Sequence, residues 1–220
     1  KSKFQQSVFI IGISGLQGTG KSFTSELLHQ CMNILEPNMK ISVSSIDDFY
    51  LSFDQLNELK GNCELYSYRG PPGTHEINLL ASIFQTLKSQ NHPQTIFLPK
   101  YDKGAKNGLG DRLPEVEVQL PDIFILEGWF LNYFSLPTIP SEYSNPLSEL
   151  INIKLKAYEN IWNQLDYTIS LIPQSFTFSL QWRTQAEENM KALNNNKGMS
   201  QTQINEFVNY FWRSLPPQLH

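Results

Sequence analysis

Gly15-Leu16-Gln17-Gly18-Thr19-Gly20-Lys21-Ser22 has the spacing G-x-x-x-x-G-K-S, the pattern of a phosphate-binding loop. Glycine-rich backbone N–H groups wrap an anion there, and one lysine adds its charge. Lys21 is expected to reach the β- and γ-phosphates of a nucleotide, and the Ser22 hydroxyl to ligate Mg²⁺. Two carboxylates could turn binding into chemistry. Asp47 closes Lys40-Ile41-Ser42-Val43-Ser44-Ser45-Ile46 and is the leading candidate to accept the proton of an attacking hydroxyl; the plainer reading is a turn aspartate capping its own backbone. Its neighbour Asp48 is expected to point elsewhere, as a cap. Glu127 closes Asp122-Ile123-Phe124-Ile125-Leu126, where such sites place the acid that orients Mg²⁺ or its waters; the plainer reading is a solvated strand-end charge. No N/T-K-x-D signature for guanine is present, since Asn107 precedes Gly108 and Lys103 lies in Tyr101-Asp102-Lys103-Gly104.

These residues need elements to hold them. Val8-Phe9-Ile10-Ile11-Gly12-Ile13 reads as a buried parallel strand. Phe23, Leu27, Cys31 and Ile34/Leu35 predict the apolar face of the helix that follows, ending before Pro37. Ile77, Leu80, Ala81, Phe84 and Leu87 form a second helical stripe. Thr95–Leu98 is a short strand, and the glycine- and charge-rich stretch Pro99–Arg112 is expected to be a functional loop. Leu147–Leu165 predicts a helix and Tyr167–Ile172 a strand. A polar helix follows around Ser179–Leu193, with a turn at Asn194–Gly198. Ser200 and Gln203 form a capping box opening a last helix to about Trp212. Strands alternating with helices predict an α/β fold, a doubly wound and mostly parallel sheet. Ligands bind such sheets at the strands' carboxyl ends. The glycine loop, Asp47-Asp48, Lys100–Asp102 and Glu127 should therefore share one edge.

Length and composition agree with one enzyme-sized domain. The chain has 220 residues, 40% of them hydrophobic, with 14 Phe and 9 Tyr, enough for a sizeable core. A net charge of −4 gives no footprint for nucleic acid or an anionic membrane surface. The 2 cysteines, Cys31 and Cys63, form no CxxC pair, which excludes a disulfide framework or zinc ribbon and suits a reducing, cytoplasmic setting. No apolar run approaches the ~18 residues of a membrane span. The first residue is Lys1 rather than Met, which leaves room for an N-terminal extension.

Several motifs occur together in order: Gly15–Ser22, Ser45-Ile46-Asp47-Asp48-Phe49-Tyr50, Arg69-Gly70-Pro71-Pro72-Gly73-Thr74-His75-Glu76, and Pro99-Lys100-Tyr101-Asp102-Lys103. Gly110-Asp111-Arg112, Glu127-Gly128-Trp129-Phe130, Trp182-Arg183-x-Gln185-Ala186-Glu187 and Gly198-Met199-Ser200 complete the set. Over nearly its whole length the chain resembles the D-glycerate 3-kinase family of plants and fungi, with its yeast-type ATP-binding relatives. That family lies within the pantothenate kinase, uridine kinase and phosphoribulokinase group. The resemblance implies a single P-loop kinase domain over 1–220 with a helical lid at about 176–198, and further C-terminal sequence beyond His220. It matches Asp47 to the aspartate base of the pantothenate and uridine kinases, and Glu127 to their Mg²⁺-associated glutamate. Arg183 falls on the lid helix over the ATP phosphates, unless it pairs with Glu187 one turn on. Arg69, His75, Tyr101, Lys103 and Arg112 would line the acceptor pocket, with His75 a pocket residue rather than a catalyst. Which of them holds a carboxylate is not readable from spacing. The implied activity is transfer of the γ-phosphate of ATP, with Mg²⁺, to a hydroxyl of D-glycerate, giving 3-phosphoglycerate, or of a close hydroxy acid. Two alternatives stand beside it. Phe49, Tyr50, Tyr66 and Tyr68 leave room for a nucleoside or pantothenate acceptor. An ATP-binding regulatory protein without turnover would have no use for Asp47, Glu127 and Arg183.

Overall fold

The computed structural model describes residues 7–91, 93–193 and 198–219. In chain order its elements are β1 (Phe9–Gly15), α1 (Lys21–Leu35), β2 (Ile41–Ser45), α2 (Phe53–Asn62), α3 (Ile77–Lys88) and β3 (Thr95–Asp102). Then come β4 (Asp111–Gln119), β5 (Ile123–Gly128), α4 (Pro146–Trp162), β6 (Tyr167–Leu171), α5 (Phe178–Leu193) and α6 (Gln201–Ser214). The expected turn at Asn194–Gly198 falls largely outside the described residues.

Apolar side chains on both faces of β1 and β5 explain the layers. Ile10, Phe124 and Leu126 face a core completed by Leu80 and Phe84 of α3, Tyr158 and Trp162 of α4, and Phe211 of α6. Ile11, Ile13, Ile123 and Ile125 face the opposite side, with Leu28 and Met32 of α1. A strand apolar on both faces must be covered on both, as a doubly wound sheet is. Four parallel strands run in the order β2-β5-β1-β6. Their register sets Gly15 beside Leu171, Ser14 beside Gly128 and Ser45 beside Glu127, which gathers the carboxyl ends along one edge. No described helix is long and apolar enough to cross a membrane.

Three expectations are corrected. The α1 stripe predicted to face inward is exposed, with Phe23 at 73% and Ile34 at 77%, while Ser25 is buried and Leu28 and Met32 face the sheet. Two stripes one residue apart share one helical period, and the loop that starts α1 sets its rotation. Pro99–Arg112 is not all loop. β3 runs on to Asp102 and pairs antiparallel with β4, Tyr101 opposite Arg112 and Asp102 opposite Asp111. This two-stranded ribbon is separate from the parallel sheet, so Lys100–Asp102 reach the site from a hairpin rather than from a sheet edge. α2, announced by the capping box of Ser52 and Gln55, is an element beyond those expected.

Candidate active site

The glycine loop leaves β1 at Gly15 and enters α1 at Lys21 through left-handed backbone at Gly18 (φ 84°) and Gly20 (φ 87°), conformations glycine adopts at little cost. A Cβ on Gly18 would lie 2.5 Å from the Trp182 Cβ, so α5 rests directly on the loop. Lys21 Nζ donates to the Leu16 carbonyl at 3.0 Å. Burial pulls the Lys21 pKa down, against the charges of Glu127 and Asp47, while Lys103 adds to the lowering. All four charged groups thus share one neighbourhood. The Ser22 hydroxyl donates to Glu127 Oε1 at 3.3 Å, bringing two oxygen ligands together beside the lysine.

Asp47 sits in a 3₁₀ turn, Ile46–Phe49, at the end of β2. Its Oδ1 accepts from the Tyr50 hydroxyl at 2.7 Å and its Oδ2 from Lys103 Nζ at 2.6 Å. Burial opposes ionisation, but the Lys103 charge and both hydrogen bonds outweigh it and hold the carboxyl below its ordinary value. Asp48 turns the other way, as expected of a cap. Its Oδ2 accepts from the Ser45 N–H and the Ser44 hydroxyl, both at 3.3 Å, and from Lys100 Nζ at 3.0 Å. Adjacent carboxylates are thus divided between two lysines of the hairpin.

The acceptor-side residues surround Tyr50. His75 stacks on its ring at 4.7 Å between centroids, and Tyr101 meets it edge-on at 5.2 Å. Arg112 Nε donates to the Tyr50 carbonyl at 3.0 Å. The Arg69 guanidinium lies over Tyr50 and Tyr101 and donates to the carbonyls of Gly108, Leu109 and Lys103, clamping the hairpin tip. His75 is buried, and burial lowers its pKa to about 4 against the pull of Asp47, so the ring is neutral at pH 7.

Arg183 donates to Glu187 Oε2 at 2.8 Å, across one turn of α5, and lies over the Phe207 ring. Buried Glu187 also accepts from the Met199 N–H. The guanidinium is therefore drawn into the α5–α6 contact while its neighbour Trp182 meets the loop. Sequence reasoning missed the grip of Tyr50 on Asp47 and of Lys100 on Asp48. The signals were Tyr50 three residues after Asp47, and lysines at 100 and 103 in a chain with few charges. Tyr158 gave no local signal; only the fold brings it to His75, 83 residues away.

A carboxyl group and a hydroxyl beside a lysine suit a hard cation held jointly with phosphate oxygens. The Ser22–Glu127 pair fits Mg²⁺ in that way, and no group of three or more His, Cys, Asp or Glu among the described residues offers a dedicated metal cage.

No family model matches the chain. It is 35% identical to the probable ATP-dependent kinase TDA10 of Saccharomyces cerevisiae, over 93% of this chain and 75% of that protein. It is 32% identical to the chloroplastic D-glycerate 3-kinase of Arabidopsis thaliana, over 92% of this chain but only 46% of that one, so it spans about half the plant protein. The solved D-glycerate 3-kinase of Cryptococcus neoformans superposes with a TM-score of 0.84 at 33% identity, over 94% of this chain and 78% of that one.

Proposed function

Because the chain belongs to the D-glycerate 3-kinase family of P-loop kinases, we propose that it transfers the γ-phosphoryl group of ATP to the 3-hydroxyl of D-glycerate. The products are 3-phosphoglycerate and ADP. One observation carries this reading: Asp47, an ionised carboxylate, shares the electrostatic neighbourhood of the phosphate-loop lysine. A hydroxyl held between them would have a proton acceptor on one side and a phosphate on the other.

In this mechanism the loop amides and Lys21 hold the phosphates. Mg²⁺, held by Ser22 and Glu127, would neutralise charge on the phosphate oxygens. The acceptor displaces Lys103 from Asp47 and donates its hydroxyl hydrogen bond to the freed carboxylate. As the acceptor oxygen bonds to the γ-phosphorus, the bond to the β-bridging oxygen breaks and ADP departs. The hydroxyl proton passes to Asp47. α5 acts as the lid, packed on the loop through Trp182; in the closed complex Arg183 turns from Glu187 to the phosphates. Residues 1–220 work as one kinase unit, in a cytoplasmic setting that suits two free cysteines.

Three of the four aromatic residues that kept a nucleoside acceptor open are engaged elsewhere, and the fourth, Tyr50, already carries His75 against its ring and Asp47 on its hydroxyl. Phe49 and Tyr66 are core residues, and Tyr68 packs on Phe207 and Tyr210. The test is ADP release with ATP and Mg²⁺ against D-glycerate, glycerol, pantothenate, uridine and no acceptor. Release that depends on D-glycerate is expected. Turnover confined to another acceptor would overturn the substrate, and ATP binding without turnover on any of them would overturn the kinase.

A further inference from the structure

Six buried side-chain polar atoms lack a hydrogen-bond partner among the described residues: Ser14 Oγ, His75 Nε2, Tyr101 Oη, Arg112 Nη2, Trp162 Nε1 and Arg183 Nε. Native structures rarely leave such atoms orphaned without a reason. Three of the six belong to residues in direct contact with Tyr50: His75 through its stacked ring, Tyr101 through an aromatic edge, and Arg112 through the Tyr50 carbonyl. Tyr50 in turn holds Asp47. The orphans therefore share a wall with the proposed base.

In the resting molecule, before an acceptor displaces Lys103, one cation stands apart. Arg69 is bound to three carbonyls, Lys100 to Asp48, Lys103 to Asp47, and Lys106 pairs with Asp111. Arg112 alone among these hairpin-side cations keeps a buried guanidinium arm without a partner.

The buried hydrogen bonds also assign the His75 tautomer. The Tyr158 hydroxyl accepts from the Gly73 N–H at 3.1 Å and lies 3.0 Å from His75 Nδ1. If Nδ1 carried the proton, Tyr158 would accept twice and bury its own hydrogen without a partner. Nε2 would then be orphaned as well. With the Tyr158 hydrogen donated to Nδ1, only Nε2–H is left over, and each buried orphan is costly. His75 then presents a donor, the Tyr101 hydroxyl can donate, and guanidinium has no acceptor at all.

We infer that Arg112 Nη2, Tyr101 Oη and His75 Nε2–H form a donor-rich pocket that takes the carboxylate and adjacent 2-hydroxyl oxygen of the acceptor, making these three the residues that select a 2-hydroxy acid. This rests on the glycerate kinase reading and deepens it. The pocket favours a carboxylate and disfavours the same skeleton carrying an amide or a hydroxymethyl group, because the charge facing Arg112 is lost and an oxygen facing His75 Nε2–H gives way to a group that carries hydrogen. Tyr158, out of ligand reach, acts as a positioning residue by fixing the tautomer.

The test is steady-state kinetics with D-glycerate, glyceramide and glycerol, with ATP varied separately. His75→Asn keeps a group near Nδ1 but loses the Nε2 donor; His75→Gln carries an amide N–H to the Nε2 position. For D-glycerate, His75→Asn and Arg112→Gln should each raise KM at least ~10-fold, the effect of removing a hydrogen bond to a charged group. KM for ATP should hold, and His75→Gln should recover most of the loss. The preference for D-glycerate over glyceramide should collapse in Arg112→Gln. Arg112→Lys, which keeps the charge without the planar arm, should be nearly as impaired, and it supplies the same readout if Arg112→Gln does not fold. KM for D-glycerate within twofold of the parent in both His75→Asn and Arg112→Gln would overturn the pocket while leaving the kinase intact. Equal use of glycerol and D-glycerate by the parent enzyme would overturn the pocket too. A parent enzyme that turns over only unrelated acceptors would instead remove the glycerate reading on which the pocket stands.

Discussion

Asp47 carries two donors, one from its own turn and one from the hairpin, and the chemistry turns on which of them yields. Asp47→Asn should lower kcat at least ~100-fold, within the range of general-base catalysis, with ATP affinity nearly unchanged. Titrating the parent and Asp47→Asn with an ATP analogue checks this, and loss of nucleotide binding would make Asp47 a structural residue instead. Lys21→Ala should cost about 3 kcal/mol of transition-state stabilisation, read from kcat/KM, as for a group facing the transferred phosphoryl; near-parental turnover would dismiss the loop assignment. At this scale the sequence was informative wherever chemistry is local. The glycine spacing located Lys21 and Ser22, and a strand ending in acid located Asp47 and Glu127. The contacts of Lys100 with Asp48 and of Tyr158 with His75 were not legible, since they form only when distant segments meet.

The hairpin of β3 and β4 delivers most acceptor-side groups, and it was hidden because glycines and charges imitate an irregular loop. The same glycines build its tip. Gly110 has φ 82°, and a Cβ there would lie 2.5 Å from Tyr101 Cε1. Gly110→Ala should destabilise the protein by about 2 kcal/mol through left-handed strain and displacement of the Tyr101 ring. It should also weaken acceptor binding, leaving KM for ATP unaltered. Urea denaturation beside a KM pair distinguishes this from global damage. α1 gives the opposite lesson. Its period was legible and its rotation was not, because the glycine loop and the sheet set which stripe turns inward.

The whole molecule carries the cost of a buried neutral imidazole. His75 ionises near 4 when folded and near ~6.5 when unfolded. Between those values the unfolded chain binds a proton that the native state refuses, so this contribution is intact above ~6.5 and is lost as pH falls toward 4. Going from pH 7 to pH 5 should remove about 2 kcal/mol of stability through this residue. Urea unfolding at both pH values should show a drop smaller by that amount in His75→Gln; an equal drop would mean the ring is not held neutral. Across the chain the parallel strands and their two-faced burial followed from unbroken apolar runs spaced between helical stripes. The meeting of hairpin, 3₁₀ turn and α4 around Tyr50 did not, because contacts between distant segments leave no period to read.

Lys103 gives the resting molecule one more property. Side-chain exposure of 60% against 25% for Asp47 places it on the solvent side of the pair, within reach of an arriving anion. With no acceptor present, water is the competing nucleophile, and an unattended carboxylate beside ATP would activate it. The ion pair acts as an interlock that keeps the base idle until a ligand draws the lysine away. Lys103→Met should raise acceptor-free ATP hydrolysis while lowering the glycerate-dependent rate, as measured by phosphate release. Restraint toward water and appetite for substrate would then reside in the same ammonium group.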